Sequence, residues 1–258
     1  MKIIEIVTDK FKKMKAMKEK LKEALRPIYD KLLKDNSINQ LQQIIRKDTQ
    51  EDVYEYACMA PFVGDKFSKA ENNGIIYYGR ATNGWESSVK SDFDEIYDKG
   101  FINKKGENGY FEYIFENESA FFRVAGKVFN EYYEDDWYNH VTYSNLCKVA
   151  PHSGNPNNSV YEAQNKYVTE IFKEEIKTLS PKFVVLFVGK SWAKDFLRYI
   201  NDDKEPQPLE TIEWDKDYEY SLSVYKIGEV YYLVSEHPQG KKENLHAEAI
   251  LSVFEKYK

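Results

Sequence analysis

The sequence predicts an α/β protein, a three-layer α/β/α sandwich with a mostly parallel central sheet and a helical N-terminal extension. Short apolar runs bounded by glycines or turn formers are typical of buried strands. They alternate with longer segments whose apolar residues recur every three or four positions, as in helices. Strands that alternate with helices favour a sheet covered by helices on both faces. The apolar runs are GIIYYG at 74–79, HVTYSNLCKVAP at 140–151 and KFVVLFVG at 182–189.

The first 60 residues are predicted to form the helical extension, and 61–258 the α/β domain. Apolar spacing indicates helix over about 8–34, and Pro27 is expected to end or kink it because proline removes a helix hydrogen bond. A second helical patch is predicted over about 38–58. No internal repeat is evident.

Charge is unevenly distributed along the chain. Residues 1–34 hold 11 Lys/Arg and 5 Asp/Glu, a net +6, while the remainder is at −12 within an overall charge of −6. A basic arm of this kind either contacts nucleic-acid phosphates or is a solvated helix that pairs with the acidic body. The sequence leaves both interpretations open.

Beyond residue 74 each predicted strand is followed by helical or turn-forming sequence. Ser159 and Glu162 form a capping-box pattern, which predicts that a helix opens there. Residues 201–217 are acidic and contain proline, so a loop is expected. The remaining predictions are helices at about 118–134, 160–178, 190–200 and 243–257, and a hairpin over 220–236 that turns at Ile227-Gly228-Glu229.

The composition bounds the class of protein. No apolar run approaches the roughly 18 residues of a membrane span, and the start lacks the features of a signal peptide. Cys58 and Cys147 provide no disulfide framework, and His140 and His152 lack neighbouring residues at metal-ligand spacing. We therefore expect a cytoplasmic protein with reduced thiols, no membrane partner, and no metal or other cofactor.

In parallel sheets, ligands bind beyond the carboxyl ends of the strands. Four segments follow predicted strands and so are expected to meet at one edge. They are GRATNGW at 79–85, SNLCK at 144–148, GKSW at 189–192 and SEHPQG at 235–240. These segments are the candidates for a functional site.

Between residues 143 and 197 an ordered series of residues begins in the second predicted strand: Asn145, Lys148, Pro151, Asn155, Pro156, Leu179, Pro181, Lys182, Gly189 and Ala193. This series resembles the uracil-DNA glycosylase superfamily. With its flanking motifs the resemblance spans about 74–257, and it implies a glycosylase that excises uracil or a related damaged base from DNA. Cys147 falls near a cysteine that binds an iron–sulfur cluster in some relatives, but two thiols do not complete such a site.

The resemblance also implies roles at the second and last strand ends. Asn145 would read the base, since an amide can pair with the O4 and N3–H of uracil. His237 would donate a hydrogen bond to uracil O2, where charge develops as the bond breaks. Pro238 would fix the loop that enters the duplex, and Lys241 and Lys242 would contact phosphate.

The first motif departs from the family pattern, in which an acid or amide positions the attacking water. Gly79 fits the turn after the strand and would approach the base, but Arg80 and Ala81 are not acids. Asn83 or Glu86 would then orient the water. This departure keeps two further hypotheses open: a catalytically weak or inert nucleic-acid- or nucleotide-binding protein, and a hydrolase of free nucleosides.

Four residues beside the strand ends have two interpretations each. Trp85 is either an aromatic wall for a flipped base or a packing residue. Arg80 contacts a DNA phosphate or pairs with an acid. Ser191 and Trp192 form the floor of the pocket or begin a helix.

Overall fold

The computed structural model describes residues 2–47, 50–67, 74–82, 87–99 and 119–257. Its helices are α1 (Lys2–Lys34), α2 (Asn36–Asn39), α3 (Phe93–Lys99), α4 (Ala120–Tyr133), α5 (Asn158–Leu179), α6 (Lys190–Ile200) and α7 (Glu243–Lys256), with a 3₁₀ helix at Glu134–Asn139. Its strands are β1 (Gln42–Lys47), β2 (Gln50–Glu55), β3 (Ala57–Cys58), β4 (Phe62–Val63), β5 (Ile75–Gly79), β6 (Val141–Asn145), β7 (Val149–Ala150), β8 (Phe183–Phe187), β9 (Glu210–Asp215), β10 (Tyr220–Ile227) and β11 (Val230–Ser235).

Within the described residues, the central sheet has seven strands in the order β4-β6-β5-β8-β11-β10-β9. Its four middle strands, β6, β5, β8 and β11, run parallel to one another, while β4, β10 and β9 are antiparallel to their neighbours. The sheet is therefore mixed but parallel at its centre, which confirms the predicted fold class. The predicted hairpin over β10 and β11 is present, and its turn includes Gly228 with a positive φ of 58°.

Helices cover both faces of the sheet, as strand alternation requires. Ile76 and Tyr78 of β5 belong to a core shared with α1, α5 and α6. Ile75 and Tyr77 belong to a second core shared with α4 and α7. Within the described ranges, no helix combines the length and the apolar character that a membrane span needs.

Helix α1 continues through Pro27 to Lys34, so the expectation that the proline ends the helix is wrong. Pro27 is exposed, whereas Leu25 and Ile28 beside it are buried in the core against the α5 side of the sheet. Burial of the apolar stripe offsets the hydrogen bond that proline removes. The extension therefore contributes directly to one of the two cores.

The helical prediction for residues 38–58 is wrong beyond α2. Strands β1 and β2 form an antiparallel pair in this segment, and β3 pairs with β7 in a separate two-stranded sheet. The β-branched residues Ile44, Ile45 and Val53 favour strands, and local pairing prevails over the helical spacing.

Two further boundaries differ from the predictions. Helix α5 begins after Asn157, whose side-chain oxygen accepts from the Val160 amide at 3.0 Å, so the cap is not Ser159. Residues 210–215 form strand β9 rather than loop, because they pair with the edge of β10. Tertiary pairing thus orders a segment whose composition indicates a turn.

Three basic residues of α1, Lys18, Lys22 and Arg26, pair with acids of the body. This supports the solvated-helix interpretation for that part of the arm. Exposed pairs of this kind are worth little individually, about 0–1 kcal/mol. The pairs are Lys18 with Asp65, Lys22 with Asp94 and Asp98, and Arg26 with Asp94 through both terminal nitrogens.

Candidate functional site

The ends of the parallel strands bring the predicted motifs to one edge of the sheet. Gly79 at the end of β5 is the register partner of Asn145 at the end of β6. Phe187 of β8 pairs in the same way with Ser235 of β11, and the Gly189 amide donates to the Ser235 carbonyl at 2.8 Å. The segments after these strands therefore lie side by side.

A cavity of about 580 Å³ opens at this edge. Asn145 and His237, from two predicted motifs that are distant in sequence, both line it. Its size suits a flat heterocycle with part of an attached sugar. Its wall consists of Gly79, Arg80, Ala81, Thr82, Ser119, Ala120, Phe121, Phe122, Arg123, Tyr143, Asn145, Gly154, Asn155, His237, Gln239 and Gly240.

Asn145 is buried, with 1% of its surface exposed. Its Nδ2 donates to the Tyr143 hydroxyl at 3.1 Å and to the Met59 sulfur at 2.7 Å. Its Oδ1 has no hydrogen-bond partner among the described residues. An unpaired buried oxygen costs free energy unless a ligand supplies a donor, so this atom is a candidate contact for a ligand.

Position 79 requires glycine because the Asn145 side chain and the Phe121 ring approach its backbone closely, not because of its backbone angles. A Cβ at this position would lie well inside van der Waals contact with Asn145 Oδ1 and 3.3 Å from the Phe121 ring. Only glycine lets the Asn145 amide lie against the strand end.

We expect Gly79→Ala to lower the free energy of unfolding by about 1–3 kcal/mol, because the added methyl group overpacks this contact. Gly126→Ala is the matched control, since a Cβ there meets no atom within 4 Å. Gly126 lies inside α4, so alanine should raise stability by about 0.5–1 kcal/mol. Urea denaturation measures both, and equal effects of the two variants would contradict the close-approach argument.

His237 is half-buried, and its ring stacks at 6.2 Å from that of Phe121. Burial, with Arg80 and Lys241 adding to it, lowers the pKa of His237 to about 4. The Gln239 amide donates to Nδ1 at 3.4 Å. The neutral ring therefore carries its proton on Nε2, and the imidazole is a hydrogen-bond donor at neutral pH.

A second histidine lies behind this motif. The His246 ring of α7 is fully buried, stacks on Trp214 at 4.6 Å and contacts the Ser235 hydroxyl through Nε2 at 2.6 Å. Burial lowers the pKa of His246 to about 3, with Lys241 and His237 contributing. This neutral, packed ring supports the end of β11.

Arg80 is held at the strand end. Its Nε donates to the Val188 carbonyl at 2.8 Å, and its guanidinium lies 5.5 Å from the centre of the Trp192 ring. Burial lowers the pKa of Arg80 although Glu236 raises it. Arg80 lines the cavity, while Ser191 and Trp192 lie in the first turn of α6.

The predicted DNA-contacting lysines have partners within the chain. Lys242 pairs with Asp215 at 3.1 Å and Asp217 at 2.7 Å. The Lys241 ammonium lies 4.8 Å from the centre of the Tyr220 ring. Pro238 is buried beside them, so it anchors the turn that leads into α7.

The predicted water-positioning residues Asn83 and Glu86, and the predicted wall residue Trp85, lie outside the described residues. The last described residue of this loop is Thr82, which is 1% exposed and lines the cavity. Its hydroxyl finds no partner within the part of the chain that the structure describes. Thr82 is thus a polar group of the first motif that the sequence analysis missed.

A buried ion pair lies behind Asn145. Lys148 Nζ contacts Glu175 at 2.8 Å, the Ser144 hydroxyl at 2.6 Å and the Asn145 carbonyl at 2.8 Å. The Tyr78 hydroxyl donates to Glu175 at 2.7 Å. Burial lowers the pKa of Lys148, and Glu175 beside it counteracts that effect. The network fixes the backbone at the end of β6.

Three aromatic residues of the cavity were also missed. Tyr143 precedes Asn145 by two positions, and because side chains of a strand alternate, this spacing could have placed both on one face. Phe121 and Phe122 come from the start of α4. Their sequence is typical of a packing helix, and only the tertiary fold brings them to the cavity.

The fold and the site define a class: an α/β protein with an aromatic cavity at the carboxyl edge of its sheet, whose described lining includes the unpaired amide oxygen of Asn145 and the neutral imidazole of His237. The family model described as Uracil DNA glycosylase superfamily matches residues 64–251. The chain therefore belongs to the uracil-DNA glycosylase superfamily. Among curated proteins, no relative matches the chain significantly.

Proposed function

We propose that the chain is a DNA base-excision hydrolase that cleaves the N-glycosidic bond of uracil or a related damaged base. One observation carries the proposal. The unpaired acceptor of Asn145 and the neutral donor of His237 line the same cavity, beside the Phe121 ring. Family membership supports a glycosylase-like activity in general terms.

The proposed reaction is hydrolysis at C1′ of the deoxyribose. As the bond between C1′ and the base nitrogen breaks, its electron pair passes to the base, and water adds to C1′ with loss of a proton. The Nε2–H of His237 stabilises the charge on the base oxygen by a hydrogen bond. Thr82, with Asn83 or Glu86, orients the water, and Asn145 reads the base.

Access to the cavity requires the target base to leave the duplex stack. In the proposal, Pro238 holds the loop that occupies the vacated space. Stacking on Phe121 offsets part of the cost of unstacking. Arg80, Lys241 and Lys242 provide positive charge near the adjacent phosphates, and salt weakens these contacts.

The direct test is alkaline strand cleavage of a uracil-containing oligonucleotide, single- and double-stranded, after incubation with the wild type and Asn145→Ala. We expect cleavage by the wild type and a 10- to 100-fold lower rate for the variant, about what loss of a base-reading contact costs. Asn130→Ala, at an exposed position of α4, is the matched control and should retain wild-type activity. Equal rates for both variants would reject Asn145 as the reader.

The pairing of Lys242 and Arg123 with Asp and Glu residues favours a second candidate, a hydrolase or binder of free nucleosides or nucleotides. Internal ion pairs reduce the positive charge offered to a DNA backbone. Binding to DNA should weaken steeply with salt, whereas binding to a free nucleoside should change little. Titration of both ligands at about 50 mM and about 200 mM salt distinguishes the candidates.

A further inference from the structure

The donor side of the Asn145 amide is held by two residues. Nδ2 donates to the Tyr143 hydroxyl at 3.1 Å and to the Met59 sulfur at 2.7 Å. A thioether sulfur is an acceptor and has no proton to offer, so an amide oxygen in that position would face its lone pairs. The contact with Met59 therefore favours one of the two amide orientations, with Oδ1 directed away from the sulfur.

Met59 is itself fixed from two sides. Its amide donates to the Lys148 carbonyl at 3.0 Å, and its carbonyl accepts from the buried Tyr29 hydroxyl of α1 at 2.7 Å. Met59 has 0% exposed surface. It lies before the matched range 64–251, so residues outside the family match touch the proposed base reader.

We propose that Met59 and Tyr143 are positioning residues that fix the Asn145 amide with its oxygen toward the base, which makes the N-terminal segment part of the reading site. The effect of this positioning on catalysis rests on the proposed function. Its structural basis is the pair of contacts to Nδ2 and the unpaired Oδ1.

The orientation decides which base is accepted. Uracil presents a donor, N3–H, to the amide oxygen, whereas N3 of cytosine is an acceptor and is repelled by it. If the amide could turn over, its NH₂ group would face the base and accommodate cytosine. Met59, which is not among the residues that line the cavity, therefore contributes to the discrimination without touching either base, whereas Tyr143 holds the amide from within the cavity wall.

The enzymatic test compares Met59→Leu and Tyr143→Phe with the control Met17→Leu. Met59→Leu conserves volume and removes the sulfur acceptor, and Met17 is a partly buried residue of α1 at the edge of the core. We expect a 5- to 20-fold lower ratio of uracil to cytosine excision for each site variant, and the wild-type ratio for Met17→Leu. An unchanged ratio in both site variants would overturn the proposal.

A second measurement is independent of activity. The side-chain NH₂ protons of Asn145, assigned by their absence in Asn145→Ala, should exchange with solvent at least 10-fold faster in Met59→Leu than in Met17→Leu. Equal exchange rates would overturn the positioning role even in an active enzyme. If the wild type excises no uracil, the proposed glycosylase function fails, and the exchange rates still decide whether Met59 holds the amide.

Discussion

His237→Ala should lower the rate of uracil excision about 10²- to 10³-fold, the cost of removing a donor to a developing oxyanion. The variant removes the Nε2–H but leaves the Asn145 contacts in place. Single-turnover cleavage of a uracil-containing oligonucleotide measures the effect on the chemical step. His140→Ala is the matched control, because His140 precedes β6 at the opposite edge of the sheet.

The lowered pKa of His237 also predicts how the rate of excision depends on pH. The ring is neutral above its lowered pKa of about 4, and protonation below that pH occupies Nδ1, which then cannot accept from the Gln239 amide. The neutral ring held by the Gln239 amide is therefore present above about pH 4, and this form is lost as the pH falls through that value. We expect kcat/KM to vary little between about pH 5.5 and pH 8. A His237-dependent inflection near the ordinary histidine pKa of about 6.5 would contradict the assignment.

Glu175→Gln should lower the free energy of unfolding by about 3–5 kcal/mol, because it leaves the Lys148 ammonium buried without a counter-charge. Lys148 is 1% exposed and Glu175 0%, so neither charge is solvated. Urea denaturation monitored by circular dichroism gives the value. Glu174→Gln is the control, since Glu174 pairs with the exposed Lys177. This variant should change the free energy of unfolding by no more than about 1 kcal/mol.

A double variant separates the charge effect from general loss of packing. Lys148→Met with Glu175→Gln removes both charges and keeps an acceptor for the Tyr78 hydroxyl. We expect it to recover at least half of the stability lost in Glu175→Gln, since a buried pair can be replaced at little cost when both partners change. A double variant less stable than the single one would show that the ion pair itself stabilises the fold.

Helix and strand patterns predicted most of the α/β domain because local signals there agree with the tertiary fold. The buried run of β8 and the amphipathic α6 behave as their periodicity indicates. The failures occurred where long-range pairing decides the state. Strand β9 exists because β10 supplies its hydrogen-bond partners, and continuity of α1 across Pro27 depends on burial of the adjacent apolar residues.

The site divides in the same way. Asn145 and His237 were predicted from motifs at strand ends, since the carboxyl edge of a parallel sheet is determined by strand order along the chain. Phe121 lies on a helix whose sequence indicates only packing, and its place at the cavity results from how α4 packs against the sheet. Thr82 became visible as a candidate only through its burial and unpaired hydroxyl.

The sequence by itself determined the layered α/β architecture and the superfamily, and it supplied Asn145 and His237 as candidate site residues, because each depends on residue type and order along the chain. Only the tertiary structure decided the electrostatic state of His237 and the orientation of the Asn145 amide. Burial lowers the pKa of His237. Met59, which is 86 positions from Asn145 in sequence, sets the orientation of the amide. Both depend on neighbours that meet through packing, which is why no local pattern in the sequence indicates them.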